Sequence, residues 1–164
     1  MLIVDFTTLM GKSGQYDAIK ELAFVVDGYT PYHALLKAPY ILPRSIDPKT
    51  LFGESLFTPQ GQNAWRSGDA DYYKTIDLLK HYATDRDTIY CVINGNDCKR
   101  DKVQLLQNII SKVVVAIDFS GCISFFGTVA KCSHHLTTTT TVQSWYPTCT
   151  LVRALTCFNW LKKF

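Results

Sequence analysis

Cysteine and histidine crowd one short stretch of this 164-residue chain, Cys132-Ser133-His134-His135, and a further cysteine, Cys149, follows after thirteen residues. Sulfur and imidazole donors two or three positions apart, with another thiolate across a loop, suit a tetrahedral zinc ion. Cys132, one of the two histidines and Cys149 make three ligands, so a fourth must come from elsewhere. The competing reading is a chance grouping of buried thiols and histidines, because the pattern lacks a second closely spaced pair. A separate set of residues could meet phosphate: Lys99, Arg100, Lys102 and Lys112 surround one predicted helix, and Arg153, Lys162 and Lys163 sit on another. Ordinary solvated helix faces would look the same. Trp65, Tyr72 and Tyr73 are candidate stacking partners for single-stranded bases.

Composition bounds what must position these groups. The length fits one domain, residues 1–164, with a substantial core, and 47% hydrophobic against 19% charged residues is far from a disordered composition. A net charge of +3 is too small to imply nucleic acid by itself. No apolar run reaches the roughly 18 to 20 residues that span a bilayer. The N-terminus also lacks the basic region and apolar stretch of a signal peptide. These features predict a soluble, non-secreted, intracellular protein, cytoplasmic or nuclear, with no membrane partner. The six cysteines are spread along a core-forming chain, which argues against a disulfide scaffold. Cys91 in a strand-like run and Cys157 in a helical one read as small buried hydrophobes.

Periodicity supplies the elements. Leu2-Ile3-Val4-Asp5-Phe6 predicts a buried strand, and Leu22-Ala23-Phe24-Val25-Val26 a second that ends in the turn signal Asp27-Gly28. Tyr32 to Leu36 pairs with it as a third. Prolines 39, 43, 48 and 59 with Gly53 and Gly61 make the stretch to about Gly68 an elaborated loop. Asp71 to Ala83 has helical spacing, with Asp69 and Asp71 at its start. Thr88 to Ile93 is the fourth strand, and the next helix carries Val103, Leu106 and Ile110. The β-branched run Val113 to Ile117 predicts a fifth, centrally buried strand. A short apolar segment from Ile123 to Val129 and the polar run Thr137 to Thr141 lead to a last helix from about Thr148, buried along Leu151, Leu155 and Phe158. Three strands in a meander, then alternating helices and strands, predict a ribonuclease-H-like α/β fold: a mixed five-stranded sheet flanked by helices.

On these residues the chain resembles the Maelstrom domain, a divergent relative of the DEDDh exonucleases. The similarity covers Ile3-Val4-Asp5-Phe6, Lys20-Glu21-Leu22-Ala23-Phe24, Trp65 to Asp69 and Gly121-Cys122. It also takes in Cys132, His135 and Cys149 in order, and the run from Cys149-Thr150-Leu151-Val152-Arg153 to Trp160-Leu161. That last run is similar to the terminal helix of Maelstrom-like proteins found in insect genomes and mobile elements. The resemblance implies a Glu-Cys-His-Cys zinc site, hence Glu21, Cys132, His135 and Cys149 as ligands, with His134 the alternative to His135. Four protein ligands close a zinc site, and a closed site staples structure.

The resemblance also places Asp5 where an exonuclease holds the first carboxylate of its two-ion site. Two positions later this chain has Thr7 instead of the family's glutamate, and the final histidine has no clear counterpart near Cys149. Asp69, Asp71 and Asp118 are spare carboxylates, although acidic residues before a helix more often serve as caps. The function this implies is a zinc-stabilised, catalytically degenerate exonuclease-fold domain that binds single-stranded RNA or a protein partner in a silencing or mobile-element setting. Maelstrom domains are also associated with RNA cleavage that does not use the lost acidic set. The alternatives are a working nuclease that uses Asp5 with magnesium or manganese, and a pure protein-interaction domain.

Overall fold

The computed structural model describes residues 1–9, 18–39, 68–95, 97–124 and 149–163. Cys132, His134, His135 and Trp65 lie outside them, as does most of the loop expected from Pro39 to Gly68. The late apolar segment is described only at its start, and the Thr137 to Thr141 run not at all.

Short continuous apolar runs, buried on both faces, make β1 (Leu2–Leu9) and β2 (Ala18–Val26) strands, joined in an antiparallel meander by β3 (Tyr32–Leu35). Helical spacing then produces α1 (Tyr72–Thr84) and α2 (Lys99–Ile110) on either side of β4 (Ile89–Ile93). β5 (Val115–Asp118) runs into the single turn α3 (Phe119–Cys122), and α4 (Thr150–Lys162) comes last. The sheet order is β3-β2-β1-β4-β5, with β1 parallel to β4 and β4 parallel to β5. Parallel neighbours need crossover connections, and α2 supplies the one between β4 and β5. The result is the ribonuclease-H-like mixed sheet that the residue pattern predicts.

Alternation also divides the core in two. Leu2, Val4 and Phe6 of β1 and Leu22, Phe24 and Val26 of β2 point to the layer where Ile76 and Leu79 of α1 and Leu106 and Ile110 of α2 are buried. Ile3, Ala23 and Val25 point the other way, against Ala154 and Cys157 of α4 and Phe119 and Cys122 of α3. Asp5, Thr7 and Glu21 belong to this second face by the same alternation, so α4 covers the part of the sheet that carries them.

The carboxylates near element ends act as caps. Asp71 accepts from the Lys74 N–H at 2.9 Å and starts α1, and Asp118 accepts from Ser120 N–H at 3.0 Å and starts α3. Asp69 accepts from the Leu35 N–H at 3.3 Å, tying the approach to α1 onto the end of β3. Gly68 makes that approach possible, because at φ 148° a Cβ would lie 2.6 Å from the Leu36 backbone.

Two expectations are corrected. β5 lies at the edge of the sheet, not its centre, with Val115 48% and the preceding Val113 81% exposed. A β-branched run marks a strand, but its place in a sheet depends on which strands come to lie beside it. In α4 the buried residues are Thr150, Val152, Arg153, Ala154, Thr156 and Cys157, whereas Leu151, Leu155 and Phe158 are half-buried at its flank. A buried ion pair, described below, turns the helix so that a charged residue faces inward.

Leu79 is fully buried, so Leu79→Ala is expected to lower unfolding free energy by about 2–5 kcal/mol. Val113→Ser at the exposed sheet edge should change it by about 0.5 kcal/mol or less. Urea denaturation of both variants checks the layer assignment, and a large loss at Val113 would contradict the edge position of β5.

Candidate metal centre

Glu21, His33 and Cys149 each place one ligand atom within 4.8 Å of the others, a group that could hold a metal ion. Each arrives from a different element. Glu21 lies in β2 opposite Leu35, and His33 lies in β3 opposite Ala23, so the two are diagonal neighbours across the ladder. Cys149 is the N-cap residue of α4, and its thiol makes no capping bond. His33 Nε2 and Glu21 Oε1 share a hydrogen bond of 2.8 Å. Thr150, next to Cys149, donates to the same carboxylate oxygen from its N–H at 3.3 Å and its hydroxyl at 3.1 Å.

This environment suits a cation. Glu21 is 7% and Cys149 4% exposed, and both bear negative charge in their ligating forms. Thr150 fixes the orientation of the carboxylate, as an outer-shell donor does around a bound ion. The structure thus brings together two of the expected ligands, Glu21 and Cys149, and adds His33. Cys132, His135 and its alternative His134 fall outside the described residues. His33 carries no motif of its own, but the turn at Asp27-Gly28 fixes the hairpin register, and counting across it places His33 diagonal to Glu21.

A second charged group sits beside this one on the same sheet face. Asp5 is fully buried, and each of its carboxylate oxygens accepts a bond from a cation: Lys102 Nζ at 2.7 Å and Arg153 Nε at 2.6 Å. Lys102 reaches it from α2 in the opposite helix layer and also donates to Asp97 at 3.0 Å, just beyond β4. Arg153 comes from α4, one turn after Cys149 and Thr150. Burial penalises the charge on both cations, yet the Asp5 carboxylate outweighs it and holds the pKa of each above its ordinary value.

Several residues expected to contact phosphate are therefore placed elsewhere. Lys102 and Arg153, expected to contact phosphate, are 8% and 4% exposed and belong to the ion cluster. Lys112 donates to the Thr84 and Arg86 carbonyls at the end of α1, at 2.5 and 3.2 Å. Lys162 pairs with Asp27 at 3.1 Å while remaining half-exposed. Lys99, Arg100 and Lys163 are exposed. Tyr73 is 62% exposed, whereas the hydroxyl of Tyr72 accepts from the Ile19 N–H.

Cys91, Cys98, Cys122 and Cys157 are free thiols. Cys91 and Cys157 are buried, as their settings predict, and burial pushes the Cys91 thiol up to about 12. Comparison with known proteins finds no matching family model, no matching curated protein and no matching solved structure. No helix among the described residues is long and apolar enough to cross a membrane.

Removing Asp5 alone would leave two buried cations facing each other. Asp5→Ala is expected to cost about 3–5 kcal/mol of stability. A triple replacement, Asp5→Leu with Lys102→Met and Arg153→Met, should recover most of that loss. Chemical denaturation of the single and triple variants checks this, and an Asp5→Ala protein as stable as the parent would show that the cluster is not formed.

Proposed function

We propose that this chain is a zinc-stapled domain of nuclease fold that has given up metal-ion catalysis and works by binding a partner. The observation that carries the reading is the double pairing of Asp5. Two divalent ions about 4 Å apart must be held by carboxylate oxygens, and both oxygens of Asp5 are already bonded to internal cations. Thr7 adds no charge at the position where the resembling family has a glutamate. Asp71 and Asp118 act as helix caps, and Asp69 accepts from the Leu35 N–H.

Zinc is the ion favoured at Glu21, His33 and Cys149, because it accepts carboxylate, imidazole and thiolate together in a tetrahedral set. Cys132 or His135 would supply the remaining ligand from the late segment, in keeping with the Maelstrom-like order of residues. The ion would join β2, β3 and the start of α4, and its role would be to hold them. In this setting the partner is single-stranded RNA or a protein. The internal use of Lys102, Arg153 and Lys112 leaves fewer cations for phosphate and favours the protein. Lys99 and Arg100 at the start of α2 are what support RNA.

Metal analysis of purified protein is expected to find zinc in equal proportion to chain, and Cys149→Ser or His33→Ala should lower both zinc content and melting temperature. Thr150→Val, which removes the hydroxyl that orients Glu21, should weaken zinc binding by about tenfold or more. Protein that folds normally and holds no zinc would end the staple reading. For the catalytic side, labelled single-stranded RNA is incubated with the protein, with and without manganese. The expectation is no cleavage in either case, and manganese-dependent cleavage abolished by Asp5→Asn would restore the nuclease alternative.

A further inference from the structure

The sheet has an internal edge. The ladder between β1 and β4 ends at Val4 and Cys91, but β1 continues to Leu9, paired only with β2. β4 runs two residues past Cys91, to Ile93, without pairing to β1, and beyond that no strand pairs with β1 on this side among the described residues. A cavity of about 500 Å³ opens there, walled by Phe6, Thr7 and Thr8 of β1 and by Asp101, Gln104 and Leu105 of α2. Backbone donors and acceptors along such an edge are a template for another strand.

Charge selects what can enter. Lys102, the one cation lining the cavity, is held by Asp5 and Asp97. Asp101 has no hydrogen bond or ion pair among the described residues and stands exposed on the first turn of α2. Among the lining residues the charge left without an internal counter-ion is that of Asp101, which suits lysine or arginine. Phe6 and Leu105 supply an apolar floor, so alternate residues of an entering strand would meet an apolar wall and a carboxylate.

We infer that this notch receives an extended basic segment of a partner protein, which adds as a short strand beside Phe6 to Thr8 and sets a lysine or arginine against Asp101. The inference rests on the binding-domain reading and names the partner chemistry for it. Main-chain bonds to β1 supply affinity, and Asp101 supplies the preference for a basic sequence.

The zinc-loaded full chain is titrated by fluorescence anisotropy with a short peptide of alternating valine and arginine. Its controls are the same peptide with glutamate in place of arginine, and a copy N-methylated on the backbone. The basic peptide is expected to bind, and both controls to lose binding. Asp101→Asn should weaken it about threefold and the charge reversal Asp101→Lys about tenfold or more. Both substitutions are on an exposed helical turn, and circular dichroism confirms that the variants stay folded. No binding of the basic peptide, equal binding of the acidic or N-methylated one, or indifference to Asp101→Lys overturns the inference. Such a failure in protein that still holds zinc and does not cut RNA removes the notch alone and leaves the binding-domain reading in place.

Discussion

A carboxylate with no solvent contact must be neutralised, and the way Asp5 meets that demand organises much of the molecule. The side chain lies in the middle of β1, between residues that build the core, and has 0% exposure. Transfer of an isolated carboxylate into such a site would cost far more than any domain's net stability. Lys102 and Arg153 therefore have to reach it, one from each helix layer. Their bonds are short and involve charge on both sides, the kind that resists loss most strongly. The pair of contacts draws α2 and α4 onto the same point of the sheet, so the position of each helix depends on a residue that neither of them contains.

Helix α4 carries this constraint further. Cys149 and Thr150 start the helix and Arg153 follows one turn later, so all three look toward the sheet. Arg153 meets Asp5 on β1 and Thr150 meets Glu21 on β2. The two strands are neighbours, with Thr7 opposite Glu21 and Asp5 opposite Ala23. One turn of helix thus serves both buried anions, and a change in its seating would disturb both. The inward turn of Arg153 also explains why the half-buried Leu151, Leu155 and Phe158 lie at the side of α4 and not beneath it.

Much of this fold is legible in the residues because the signals are local. The apolar runs Leu2 to Phe6 and Leu22 to Val26, the helical spacing around Leu79 and Leu106, and the turn at Asp27-Gly28 each act within a few positions. The edge position of β5 is not local, since Val113 to Ile117 would read the same with a strand on either side. Charged residues mislead for a similar reason. Lys102 finds its partner 97 positions away and Arg153 finds the same one 148 positions away, so helical position alone suggests solvent for both. Glu21 enters only through the family resemblance, and His33 only through hairpin register. In each case the missing information is a contact between distant parts of the chain.

The two anionic sites on this sheet face solve one electrostatic problem in different ways. At Asp5 the compensating charges are covalently part of the chain, so neutralisation is permanent and independent of any ion. At Glu21 the carboxylate accepts from the Thr150 hydroxyl and shares a hydrogen bond with His33, and Cys149 lies beside them. A cation placed among them would favour the thiolate form of Cys149 beside the Glu21 carboxylate. The same sheet face therefore has one carboxylate bonded to the chain's own cations and another that, with His33 and Cys149, could hold a metal ion.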